Sequence, residues 1–307
     1  MDIGSHIMPS GTCRLCQREA ELQLSHVVPA FVFRWMRESS GNSFLRSTQS
    51  PNLRVQDGPQ KHWLCLDCEA RLGRAETAFA TELFHPYLEE SGRRFPYGPW
   101  LLRFCVSISW RNLAIQLESL DPQKLDEQEW TIVNQAEFAW RQFLLEETPN
   151  PGKFRQFVLP MDRIEGSGSA LPSNMNRYLM RSIDLDFCHD DQAIFTYTKL
   201  GRFVIVGFVH EPEASRWNGG KVNANRGAIE PRDYTVPAPF WRYLMNRASN
   251  SQQAMQGVSP KQAAKIEQAF RANADQIVGS DFFNAMQADV EMFGSAAFTR
   301  QVGDSER

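Results

Sequence analysis

Nowhere in its 307 residues does this chain hold an apolar run approaching the roughly 18 residues that cross a bilayer, so no membrane-embedded protein is expected. The opening segment Met1–Met8 carries no apolar stretch of signal-peptide length, so secretion is not expected and a cytoplasmic setting is. Gly4-Ser5-His6 reads as a cloning remnant, and His6 is set aside. Excess positive charge is missing too. The formal net charge is −3, whereas a strongly basic chain would advertise nucleic-acid binding through charge alone. Lysine is scarce, 7 residues against 26 arginines. The guanidinium fork suits phosphate, but genomic base composition accounts for such a bias more simply. Internal repeats and low-complexity linkers are also lacking.

What is present is an ordinary globular composition, 42% hydrophobic and 22% charged, long enough for one large domain or two smaller ones. Six cysteines in a reducing compartment favour metal binding over disulfides. Four of them form two Cys-x-x-Cys pairs, Cys13/Cys16 and Cys65/Cys68, and four thiolates satisfy tetrahedral zinc. Cys105, within the apolar stretch Leu101–Val106, and Cys188 read as buried thiols.

The pattern along the chain predicts an α+β protein. Residues 10–95 form the cysteine-bearing unit: a knuckle at the first pair, a strand over Leu22–Val28, and a helix over Ala30–Glu38. A polar stretch over Ser39–Gln60 follows, and a helix opens at the second pair. The zinc would tie knuckle to helix start in a treble-clef, ββα-like arrangement, with the thiolates favoured by the helix N-terminus. Residues 96–307 are expected to hold helices over Trp100–Leu120 and Asp126–Glu147. Strands over Ala193–Thr198 and Arg202–Val209 turn at Lys199-Leu200-Gly201, and closing helices cover Pro239–Ala248 and Pro260–Phe293. The boundary is expected near residues 90–98, punctuated by Ser91-Gly92 and Pro96-Tyr97-Gly98-Pro99.

Between the cysteine pairs stands Ser25-His26-Val27-Val28-Pro29. With the pairs, this segment resembles the HNH (ββα-metal) endonucleases, over about 60 residues. The resemblance implies hydrolysis of nucleic-acid phosphodiester bonds, with DNA the expected substrate and RNA the alternative. It implies His26 as general base, Asn52 on the intervening loop as the residue orienting it, and Glu69 as ligand of a catalytic Mg2+ or Mn2+. The zinc held by Cys13, Cys16, Cys65 and Cys68 would be structural. A neutral imidazole can generate the attacking hydroxide near neutral pH, and a hard divalent ion would stabilise charge on the phosphate through oxygen ligands. Two positions depart from the family pattern: Ser25 stands where an Asp or His is usual, and Glu69 where a His or Asn is usual.

Each of these residues has a plainer reading. His26 could steady the knuckle, Glu69 could be a first-turn glutamate favoured by the helix dipole, and Asn52 a simple loop residue. Glu76 would pair with Arg71 or Arg74. His189-Asp190-Asp191 reads as a turn before a strand, Gly219-Gly220 lacks the spacing and lysine of a phosphate loop, and Trp217 and Trp241 read as core. The competing function is a non-catalytic zinc module binding nucleic acid or a protein partner. Residues 96–307 carry no motif that assigns a role, and contact with a protein partner or a second copy of the chain is the expectation there under either function.

Overall fold

A computed structural model describes residues 9–40, 45–166, 171–190 and 192–298. In chain order the elements are β1 (Ser10–Thr12), β2 (Glu19–His26), α1 (Ala30–Glu38), β3 (Leu45–Arg46), β4 (Arg54–Val55), β5 (Gln60–Cys65), α2 (Leu66–Ala78), a π-helical stretch (Phe79–Phe84) and α3 (His85–Glu89). Then come β6 (Phe95–Tyr97), α4 (Pro99–Ser119), α5 (Glu127–Leu144), β7 (Gln156–Pro160), α6 (Met175–Arg181), β8 (Ser182–His189), β9 (Ile194–Gly201) and β10 (Phe203–His210). The chain continues with β11 (Gly227–Ile229), α7 (Ala238–Gln256), α8 (Pro260–Ala272), α9 (Ala274–Ile277) and α10 (Asp281–Phe293). Helices and strands are mixed and every strand pair is antiparallel, the α+β class expected.

The main sheet runs β7-β10-β9-β8. Strand β10 shows why its sequence is almost continuously apolar. Phe203, Ile205 and Val209 face one buried cluster, while Val204, Val206 and Phe208 face another. With period 2, a strand covered on both faces must be apolar at both sets of positions. One face carries α4, which is buried along Leu101–Ala114 and is apolar nearly all round, as a fully enclosed helix must be. Gly207 permits its close approach: a Cβ there would come within 2.4 Å of the Ser109 hydroxyl. The other face packs against α6 and α7.

A smaller sheet, β1-β2-β5, carries the cysteine unit, and α2 follows β5 without a break. The apolar core does not divide near residue 95. One buried cluster runs from Cys13 and Leu15 through Phe79, Leu101 and Trp110 to Phe203 and Ile205. Within this stretch β6 pairs with β11.

Three local expectations need correction. The β9–β10 turn lies at Gly201, where φ is +58°, rather than over 199–201. Lys199 is fully buried within β9, its ammonium donating to the carbonyls of Leu179 and Gly201. The long closing helix is three helices, because Asn273 ends α8, Gly279 takes φ +81°, and the Ser280 side chain caps α10. Glu76 pairs with Arg111 instead of Arg71 or Arg74. Among the described residues no helix is long and apolar enough to cross a membrane.

Candidate functional site

The two cysteine pairs meet where the ends of two strands converge. Cys13 and Cys16 lie on the turn between β1 and β2. Cys65 ends β5, and Cys68 lies in the first turn of α2. Their four sulfurs lie within 4.8 Å of one another, a cluster that can hold a metal ion. Cys16 Sγ and Cys65 Sγ are 3.8 Å apart. A tetrahedral zinc site with Zn–S bonds of about 2.3 Å has sulfur–sulfur edges of about 3.8 Å, so the set fits zinc. The Cys65 backbone N–H points at Cys13 Sγ (3.3 Å), and Arg18 Nε donates to Cys16 Sγ (3.4 Å). Such donors offset the negative charge of four thiolates. Burial is the largest single influence on Cys16 and opposes its ionisation, but the hydrogen bonds from the Arg18 side chain and backbone and from Cys13 and Cys68 together outweigh it and bring this thiol down to about 6. Burial pushes Cys13 and Cys68 upward.

His26 closes β2, directly opposite Gln60 on β5. Residues paired across an antiparallel ladder share a face, and the Gln60 amide indeed lies 2.7 Å from His26 Nε2. The same nitrogen is 2.8 Å from Asp57 Oδ2, while Asp57 Oδ1 accepts the Gly58 N–H at 2.9 Å. Nε2 cannot both donate to Asp57 and accept from the Gln60 amide nitrogen. The carboxylate can only accept, so the proton goes on Nε2 with the Gln60 amide turned to present its oxygen, which leaves Nδ1 as the acceptor. Among the described residues none bonds Nδ1. The ring is partly exposed, at 24%. Its backbone is fixed from the other side: Arg111 on α4, 1% exposed, donates through Nη1 to the His26 carbonyl (2.8 Å) and pairs through Nη2 with Glu76 on α2.

Glu69 and Asn52 lie elsewhere. Ser25, fully buried, donates to Glu69 Oε2 at 2.7 Å. Ser25 and His26 are consecutive in an extended strand, so they point to opposite faces, and Glu69 sits on the Ser25 side. Asn52 does not orient His26. Its amide donates to the Gly257 carbonyl (3.0 Å) and its oxygen accepts the Ser259 N–H (2.8 Å), so it pins the turn between α7 and α8. The partner beside His26 is Asp57. It is not the Asn that the resemblance implies, although Asp57-Gly58 before a strand is a turn signal that places Gln60 opposite His26. Arg111 was invisible as a functional residue because it lies inside an apolar helix.

The remaining candidates are structural. Asp190 Oδ1 accepts the N–H groups of Gln192 and Ala193 in a turn, His189 bonds Glu129 (2.8 Å), and Asp191 lies outside the described residues. Trp217 is buried among Phe157, Phe208 and Phe240. Cys105 and Cys188 are buried thiols, and burial pushes Cys188 up to about 12. Comparison with protein-family models, curated proteins and solved structures finds no match to this chain.

Proposed function

We propose that this chain is an HNH-like phosphodiester hydrolase acting on nucleic acid, with His26 as the base. The observation that carries it is the 2.8 Å pairing of His26 Nε2 with Asp57, at the end of a strand tied to the four-cysteine cluster. In this reading Asp57 fixes the tautomer, so Nδ1 takes a proton from water as the new O–P bond forms, and the sugar oxygen leaves with the electrons of the broken P–O bond and takes a proton from solvent. Cys13, Cys16, Cys65 and Cys68 hold a structural zinc, which locks β2 against β5 and α2 and so fixes His26 opposite Gln60.

Magnesium or manganese at Glu69 does not fit as a protein-built site. The Glu69 carboxylate is engaged by Ser25, and among the described residues no second cluster of three or more His, Cys, Asp or Glu ligands gathers. No step is therefore assigned to such an ion.

A second reading is favoured by that same Ser25–Glu69 bond. That bond occupies the carboxylate that the resemblance assigns to a catalytic ion, which leaves a zinc-built binding module for nucleic acid or a protein partner without catalysis. Nicking of supercoiled plasmid by the purified chain, with and without added magnesium or manganese, separates the two. Nicking supports the hydrolase, and intact plasmid under all conditions selects the binding module.

A further inference from the structure

Far along the chain from the cysteines, β6 and β11 form one wall of an open cleft of about 480 Å³, and the segment 219–226 forms another. Four cations line it: Arg94, Lys221, Arg226 and Arg232. A single carboxylate, Glu230, faces them, and it pairs with Arg94 (2.9 Å) and Arg232. Four positive charges against one negative leave an excess of three in a chain whose formal net charge is −3. Among the described residues Lys221 and Arg226 have no ion-pair partner, and both are exposed.

These cations stand on a fixed backbone. Residues 220–222 extend the main sheet at β7, with Val158 N–H bonded to the Gly220 carbonyl (2.8 Å) and Val222 N–H to the Gln156 carbonyl (3.0 Å). Tyr97 supplies a neutral donor. The residue lines the cleft though it is only 6% exposed, and its hydroxyl oxygen accepts the N–H of Asn223, another lining residue (3.2 Å). Among the described residues nothing accepts the proton of that hydroxyl. Burial raises the Tyr97 pKa, so the proton stays in place.

We infer that this cleft binds the phosphates of a nucleic-acid strand, with Lys221 and Arg226 as its free cations and the Tyr97 hydroxyl as a fixed donor. The inference rests on the nucleic-acid reading above but not on catalysis. Guanidinium forks and a hydroxyl donor match the oxygens of a phosphodiester, and these contacts are independent of base sequence. An open cleft accepts a continuous strand, whereas a free nucleotide would bring the same phosphate chemistry without the chain.

The test is fluorescence anisotropy of a labelled single-stranded 20-mer with the full chain. It is run without added divalent cation, across a salt series, for wild type, His26→Ala and the double variant Lys221→Gln/Arg226→Gln. Binding by wild type and His26→Ala alike is expected. The double variant should lose about tenfold in affinity, and its salt slope should shrink by about 1.4, as two lost phosphate contacts on a single strand require. Both replaced side chains are exposed, so unchanged zinc content and melting temperature are expected, and the swap Lys221→Arg/Arg226→Lys should restore binding. Equal affinity and slope in the Gln variant would overturn the cleft assignment, even if the protein cuts plasmid. Displacement of the strand by equimolar AMP or by polyglutamate would overturn it too, in favour of a mononucleotide or an acidic peptide. Strand binding that depends on Lys221 and Arg226 in a chain that never nicks plasmid would uphold the cleft and remove the hydrolase.

Discussion

Arg111, in the middle of α4, holds the carbonyl of His26 at 2.8 Å and the carboxylate of Glu76 at the same time. One buried guanidinium thus joins the central helix to the end of β2 and to α2. The candidate site is tied both to the four-cysteine cluster and to the core that runs through α4.

Removing that guanidinium should be costly. Arg111→Met leaves Glu76 without its counter-charge and orphans the His26 carbonyl. A loss of about 3 kcal/mol in urea unfolding is expected, the lower end for breaking a buried pair because Glu76 is partly exposed. The double variant Arg111→Met/Glu76→Gln should recover part of that loss. No recovery would show that the guanidinium acts through the carbonyl alone.

Zinc should be stoichiometric. Elemental analysis is expected to return one zinc per chain, and Cys65→Ser to abolish it. Structural zinc commonly supplies about 10 kcal/mol or more of folding free energy, comparable to the whole stability of a domain. Because the cluster shares one core with α4 and β10, the Cys65→Ser chain should lose cooperative thermal unfolding throughout rather than in residues 10–95 alone.

Much of this arrangement was legible beforehand, and the failures share a cause. Cys-x-x-Cys spacing, the β10 apolar run and the helical spacing of apolar residues after Asp126 are local signals, and they placed the four-cysteine cluster, β9, β10 and α5 to within a few residues. Asp57, Arg111 and the role of Asn52 depend on contacts between residues distant in sequence, which no periodicity encodes. Lys199 is the plainest example: a lysine before a glycine reads as an exposed turn, yet two carbonyls and a covered sheet hold it inside.

Lys199 also sets a pH dependence. Burial lowers its amine from the ordinary 10.5 to about 7. Between those values the unfolded chain carries one more proton than the folded one, so stability should rise with pH through that window. Below about 7 both states are charged, and the penalty of burying the charge is present in full. The expected slope is up to about 1.4 kcal/mol per pH unit between pH 7.5 and 9 in urea titrations. Lys199→Met should flatten it, and a slope unchanged in that variant would place the titration on another group.

The most direct test of the His26–Asp57 pairing is plasmid nicking by wild type, His26→Ala and Asp57→Asn, each checked for one zinc per chain. A positioned base contributes about 10²–10⁴-fold. His26→Ala should therefore lose at least about a hundredfold in rate with its zinc retained. Asp57→Asn, which keeps the ring but not the carboxylate that fixes its proton on Nε2, should fall between that variant and wild type. Nicking by His26→Ala at the wild-type rate would contradict the assignment of His26 as the base.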